Sequence, residues 1–155
     1  MIKLKDLLTE HEFDIKRLRI AYEFFIKQMN LPIKRISLVF EPIIKDPNSK
    51  FETQAHLVVT PPNYKIQINP INPMSDNEQM RQLAHEMIHI QQCESGIFDA
   101  VNHSWNRVVY PIPKTDSEYQ NLPWEIDARK KATNYILDFN RYMRERGAVK
   151  KITRI

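Results

Sequence analysis

His85, Glu86 and His89 fall within five residues and have the types and spacing that metal-assisted hydrolysis requires. Two histidines four positions apart on a helix differ by ~6 Å of rise and just over one turn, so both imidazoles can lean toward one ion at about 2.0–2.1 Å. Glu86 stands to one side of that pair, where it can take a proton from a metal-acidified water instead of binding the metal. A charged surface helix can carry the same residues by chance. The assignment therefore depends on helical phase and on a third ligand.

A catalytic zinc site takes three protein ligands and keeps a fourth position open. Directly after His89 the chain reads Ile90-Gln91-Gln92-Cys93-Glu94, without the Gly and His that a metzincin would place there. Cys93, eight residues beyond His85, lies about 12 Å along the axis and cannot share an ion with both histidines, so it reads as an inert structural thiol. Glu125, in Trp124-Glu125-Ile126-Asp127-Ala128, is the preferred third ligand, because Ala128 shares its face and a small side chain lets two helices approach closely. The competing role for Glu125 is a carboxylate near a helix N-terminus paired with Arg129. His103 and Asp127 remain alternative ligands. Asp127 points about 200° away from Glu125 around a helix, which suits a supporting role behind the ligands.

These residues need two helices to hold them. Ser75 followed by Glu78 forms a capping box, Met80, Leu83, Ala84, Met87 and Ile88 recur at helical spacing, and Gly96 suits a left-handed C-terminal cap. The histidines lie on the polar side of that stripe. A final helix opens at Leu122-Pro123-Trp124 and carries Ala128, Ala132, Tyr135, Ile136, Phe139 and Met143 at helical spacing as far as Gly147. Upstream, residues 6–29 read as one helix or two short ones. Ile36 to Ile43 reads as a strand toward a sheet edge, with Pro42 near its end, and residues 45–50 as a loop. His56–Thr60 and Tyr64–Asn69 form a hairpin across Pro61-Pro62-Asn63, which Pro70 and Pro73 end. Residues 97–122 are irregular, with one expected strand from Trp105 to Tyr110 covering the active face. The order predicts an α+β domain with a sheet of about three strands.

The chain has 155 residues, 42% hydrophobic and 27% charged, which predicts one globular domain spanning 1–155. The N-terminal Met1 to Leu8 has no signal-like apolar run and no stretch reaches the ~20 residues of a membrane span. With Cys93 as the lone cysteine, a reducing, cytoplasmic setting is expected. A net charge of +4 arises from 23 basic residues scattered among 19 acidic ones, a solvated surface and not a nucleic-acid footprint. The basic cluster Lys150, Lys151 and Arg154 follows Gly147 and carries no assigned function.

His85-Glu86-Met87-Ile88-His89 followed by Glu125-Ile126-Asp127-Ala128 resembles the minimal gluzincins, including the SprT-like and ImmA/IrrE-like zinc metallopeptidases and similar small phage-encoded proteins. The resemblance covers the two motif helices and, more loosely, the segment from Ser104 to Tyr110. It implies a zincin-like fold, zinc held by His85, His89 and Glu125, Glu86 as general base, and a protein or peptide as substrate. Cys93 alone cannot supply the zinc ribbon that SprT-like repair proteases carry, and no residue identifies the repressor that ImmA-like proteins act on. A non-catalytic zinc-binding assembly protein, such as a virion component, is the alternative that the resemblance leaves open. Peptide hydrolysis also needs an oxyanion donor, for which His103, Tyr110 and Arg129 are candidates. An edge strand such as Ser37 to Phe40 would align an extended peptide by backbone pairing.

Overall fold

A computed structural model describes residues 4–43, 55–70 and 75–152. The loop expected at 45–50, Pro73, and Arg154 of the basic cluster lie outside the described residues. The first helix, α1, runs unbroken from Leu4 to Met29. It stops in a Schellman arrangement: Asn30 takes a left-handed φ of 53°, its N–H reaches the Lys27 carbonyl at 3.3 Å, and the Leu31 N–H reaches that of Ile26 at 3.0 Å. Buried Ile26 and Leu31 supply the apolar contact that accompanies such an end.

Strand β1 (Ile36–Phe40) follows a 3-10 turn and ends before Pro42, shorter than the expected 36–43. Strands β2 (Ala55–Thr60) and β3 (Asn63–Ile68) form the expected hairpin around Pro61 and Pro62, with Thr60 opposite Asn63. The sheet order is β1-β3-β2, with β3 parallel to β1 and antiparallel to β2. Tyr64, Ile66 and Ile68 alternate inward along β3 and bury one sheet face. Helix α2 (Asp76–Glu94) lies against that side, its first turn capped where Ser75 Oγ accepts the Glu78 N–H at 3.3 Å. Gly96 follows its end at φ 82°, a conformation that a side chain would strain.

The segment after α2 departs from the single strand expected at 105–110. Three two-residue strands, β4 (Phe98–Asp99), β5 (Ser104–Trp105) and β6 (Val108–Val109), form a second antiparallel sheet. Asn106 and Arg107, at φ 49° and 69°, turn the chain between β5 and β6 and break the continuous strand. An unexpected short helix, α3 (Asp116–Gln120), follows, capped by Thr115 Oγ1 on the Glu118 N–H at 3.1 Å. Helix α4 (Pro123–Ile152) starts where expected but passes through Gly147, so Lys150 and Lys151 belong to its last turns. A helical glycine costs only about 1 kcal/mol against alanine, and the residues after it form helix readily.

The core joins α1, the first sheet, α2 and α4: Phe25, Ile66, Leu83, Met87, Ile88, Ala128 and Phe139 are all buried. Phe24, Phe25, Tyr135, Phe139 and Tyr142 interleave between α1 and α4, with ring centroids 5.0–6.4 Å apart. The described residues thus make an α+β fold with an N-terminal helix, a mixed three-stranded sheet and C-terminal helices. No described helix is long and apolar enough to cross a membrane.

One polar tie fixes the end of α2 on the sheet. Glu94 pairs with Arg35, which also donates to the Pro62 carbonyl at 2.6 Å, and Tyr64 Oη donates to Glu94 Oε2 at 2.9 Å. Desolvation opposes the Glu94 charge, but the hydrogen bonds from Arg35 and Tyr64 outweigh it and hold the carboxyl below its ordinary 4.5. A depressed folded pKa stabilises above the unfolded value and loses that contribution as pH falls. Acid titration of the fold below about pH 4.5 should therefore be shallower in Glu94→Gln than in the unaltered chain. Equal slopes in denaturant-melt stability would mean that this tie contributes nothing to the acid sensitivity of the fold.

Candidate metal centre

Helix α2 faces two ways: Leu83, Ala84, Met87 and Ile88 are buried in the core, while His85 and His89 lean toward α4. Ala128, buried in the first turns of α4, leaves room for the two helices to approach, and Glu125 sits one turn earlier. Its carboxylate meets both rings: His85 Nε2 lies 2.7 Å from Oε2 and His89 Nε2 lies 3.1 Å from Oε1. The two Nε2 atoms are 3.1 Å apart. These three residues are the group among the described ones whose donor atoms converge, all within 4.8 Å.

The donor set fits a divalent metal. Two imidazole nitrogens and one carboxylate oxygen are the ligands of a catalytic zinc site, and neighbouring ligands at that radius stand roughly 3.3–3.5 Å apart around a tetrahedron. The observed separations of 2.7–3.1 Å approach that spacing. Burying His89 and Glu125 to 6% and 3% exposure is costly without such compensation. Burial pushes the Glu125 carboxyl upward, yet the hydrogen bonds to His85 and His89 override it and hold the group well below the carboxylate range. Burial likewise opposes a charge on His89, and Glu125 outweighs it, raising that imidazole.

Glu86 is outside the donor group, partly buried beside it. Burial raises its carboxyl above 4.5, against the pull of His89 and His85. It faces a cavity of about 530 Å³ lined also by Ala55, His56, Leu57 and Val59 of β2, Phe98, Tyr119 and Trp124. The sheet edge at the site is therefore β2. Strand β1, expected to present Ser37 to Phe40 to a peptide, lies at the opposite edge of the sheet, because β3 stands between the two.

The remaining candidates occupy other places. His103 Nδ1 bonds to the Tyr110 carbonyl at 2.9 Å, and its ring meets Trp124 edge-on at 4.7 Å. Tyr110 also packs on Trp124, at 5.8 Å. Arg129 does not pair with Glu125. Its guanidinium donates to the side chain and carbonyl of Gln120, both at 2.5 Å, clamping α3 to α4. Asp127 stays off the donor group and accepts from Gln92 Nε2 at 2.8 Å, with Lys131 3.0 Å away. The Cys93 thiol is pushed up to about 11 by burial and is not among the converging donors.

Tyr119, on α3, is the site residue that sequence reading missed. Its side chain lines the cavity that Glu86 and Glu125 also line, and desolvation followed by the charge of Glu125 raises its pKa, which favours the protonated hydroxyl. The available signal was Thr115 three residues before Glu118, a helix start in a stretch otherwise read as irregular. Comparison of the chain with protein-family models, curated proteins and solved structures gives no match.

Proposed function

We propose that the chain is a zinc-dependent metallopeptidase of the minimal gluzincin kind, acting on peptide substrates in the cytoplasm. The observation that carries this reading is the convergence of His85, His89 and Glu125 beside a carboxylate, Glu86, that stays outside the donor group and opens on the same cavity. A purely structural metal site has no use for a base next to its ligands.

His85, His89 and Glu125 would hold the ion through Nε2, Nε2 and a carboxylate oxygen. Bound there, zinc supplies a Lewis acid that polarises a carbonyl and brings the pKa of water toward ~7. Glu86 takes the proton as water adds to the scissile carbonyl, then passes it to the amine as the C–N bond breaks. Its raised pKa suits both halves of that transfer. Tyr119 donates to the carbonyl oxygen as charge develops there, replacing the candidates that the fold turns away. An extended peptide adds as a strand along the edge of β2 that faces away from β3, with side chains entering the pocket beside Leu57, Val59, Phe98 and Trp124.

The test is metal analysis of the purified chain followed by incubation with a diverse peptide library. About one zinc per chain with chelator-sensitive cleavage supports the reading. Bound zinc without cleavage of any peptide would favour the non-catalytic binding protein instead. Tyr119→Phe should keep its zinc and lower kcat about 10²-fold with little change in KM, the signature of a contact made in the transition state. An unchanged kcat would remove Tyr119 from the mechanism.

A further inference from the structure

Behind the donor group lies an amide that the catalytic scheme does not use. Gln92 is 2% exposed and touches three partners: His89 Nδ1 at 2.8 Å through Oε1, and the Trp124 carbonyl at 3.1 Å and Asp127 Oδ2 at 2.8 Å through Nε2. A peptide carbonyl and an ionised carboxylate only accept hydrogen bonds, so the NH2 end of the amide must face them. Its oxygen is then the end facing His89. An oxygen at 2.8 Å from Nδ1 requires the proton on Nδ1, so in the neutral ring that a metal ligand must be the lone pair lies on Nε2. Nε2 is the atom directed at His85 and Glu125.

We propose that Gln92 is a positioning residue that locks His89 in the Nδ1–H tautomer and presents Nε2 to the metal, with Trp124 and Asp127 holding the amide in that sense. The inference rests on the metal-site reading above. It links three supports within the first turns of α4: Trp124 orients the amide by its carbonyl, Glu125 binds beside His89, and Asp127 holds the amide by its carboxylate. Gln92, one turn after His89 on α2, reaches all of them because it lies between the two helices. A carboxylate at this position could also accept from Nδ1. It would, however, point oxygens at Asp127 and at the Trp124 carbonyl, so the amide is the side chain that satisfies all three partners. Lys131 screens the charge of Asp127 on the side open to solvent.

The test measures zinc affinity by competition with a chromophoric chelator in Gln92→Met, Gln92→Glu and Gln92→Glu combined with Asp127→Asn, and reads the His89 ring nitrogens by NMR in the zinc-loaded unaltered chain. Gln92→Met keeps the volume and removes the hydrogen bonds, and zinc should bind 10–100-fold more weakly. Gln92→Glu should also weaken it, and adding Asp127→Asn should recover part of the loss by replacing a repelling oxygen with a donor. The NMR spectrum should show the proton on Nδ1 and the metal on Nε2. Undiminished affinity in a folded Gln92→Met, or metal on Nδ1, would overturn the proposal. If Gln92→Met does not fold, the nitrogen assignment decides alone. Failure of the unaltered chain to bind zinc would instead defeat the metal-site reading, a separate result.

Discussion

Glu86→Gln should lower kcat on a cleavable peptide about 10³-fold while the purified variant still carries about one zinc per chain. The side chains are nearly isosteric, so the cavity beside β2 should keep its shape. The donor group of His85, His89 and Glu125 does not include residue 86, so the ligands are untouched. What is lost is the group that takes the proton, and general-base contributions of this kind are typically worth 10²–10⁴-fold. Glutamine also removes a carboxylate whose charge the nearby imidazoles favour, so metal affinity should shift only slightly. The measurements are kcat on the best library peptide and zinc content by atomic absorption. Loss of zinc together with activity would mean that Glu86 holds the site together, and full activity would mean that the base lies elsewhere.

The sequence exposed this site unevenly, for physical reasons. His85 and His89 were readable because their four-residue spacing falls on the polar side of a helix whose apolar stripe is Leu83, Ala84, Met87 and Ile88. Glu125 was a choice among alternatives, because no local pattern ties residue 85 to residue 125; only helix packing puts them 2.7 Å apart. The α1 helix, the hairpin and both motif helices follow from periodicity and from Ser75, Gly96 and Pro123. The region 97–122 resisted such reading. Its strands are two residues long, too short to alternate, and its turn uses Asn106 and Arg107 at positive φ where glycine would be the usual signal. Tyr119 was hidden there. Sheet order was equally silent: β1 and β2 both read as strands, and only the parallel pairing of β1 with β3 puts β2 at the site.

Glu125→Ala should abolish stabilisation of the fold by zinc. A ligand that binds only the native chain adds RT ln(1 + [L]/Kd) to its stability, about 4 kcal/mol at a thousandfold excess over Kd. For a chain of this size that is a rise of roughly 10 °C in Tm. The unaltered chain should show such a rise on adding zinc and lose it to a chelator. Removing Glu125 takes away the one carboxylate of the donor group and leaves two imidazole nitrogens 3.1 Å apart, which repel when both rings are protonated and bind zinc weakly as a pair. The variant should therefore melt at nearly the same temperature with and without zinc. Without zinc it should also lie below the unaltered chain by about 1–3 kcal/mol, because buried His89 loses its partner at Nε2. Differential scanning calorimetry with and without zinc separates these two effects. A zinc-dependent rise that survives Glu125→Ala would place the third ligand elsewhere, and Asp127→Ala in the same assay would then test the nearest other carboxylate on α4.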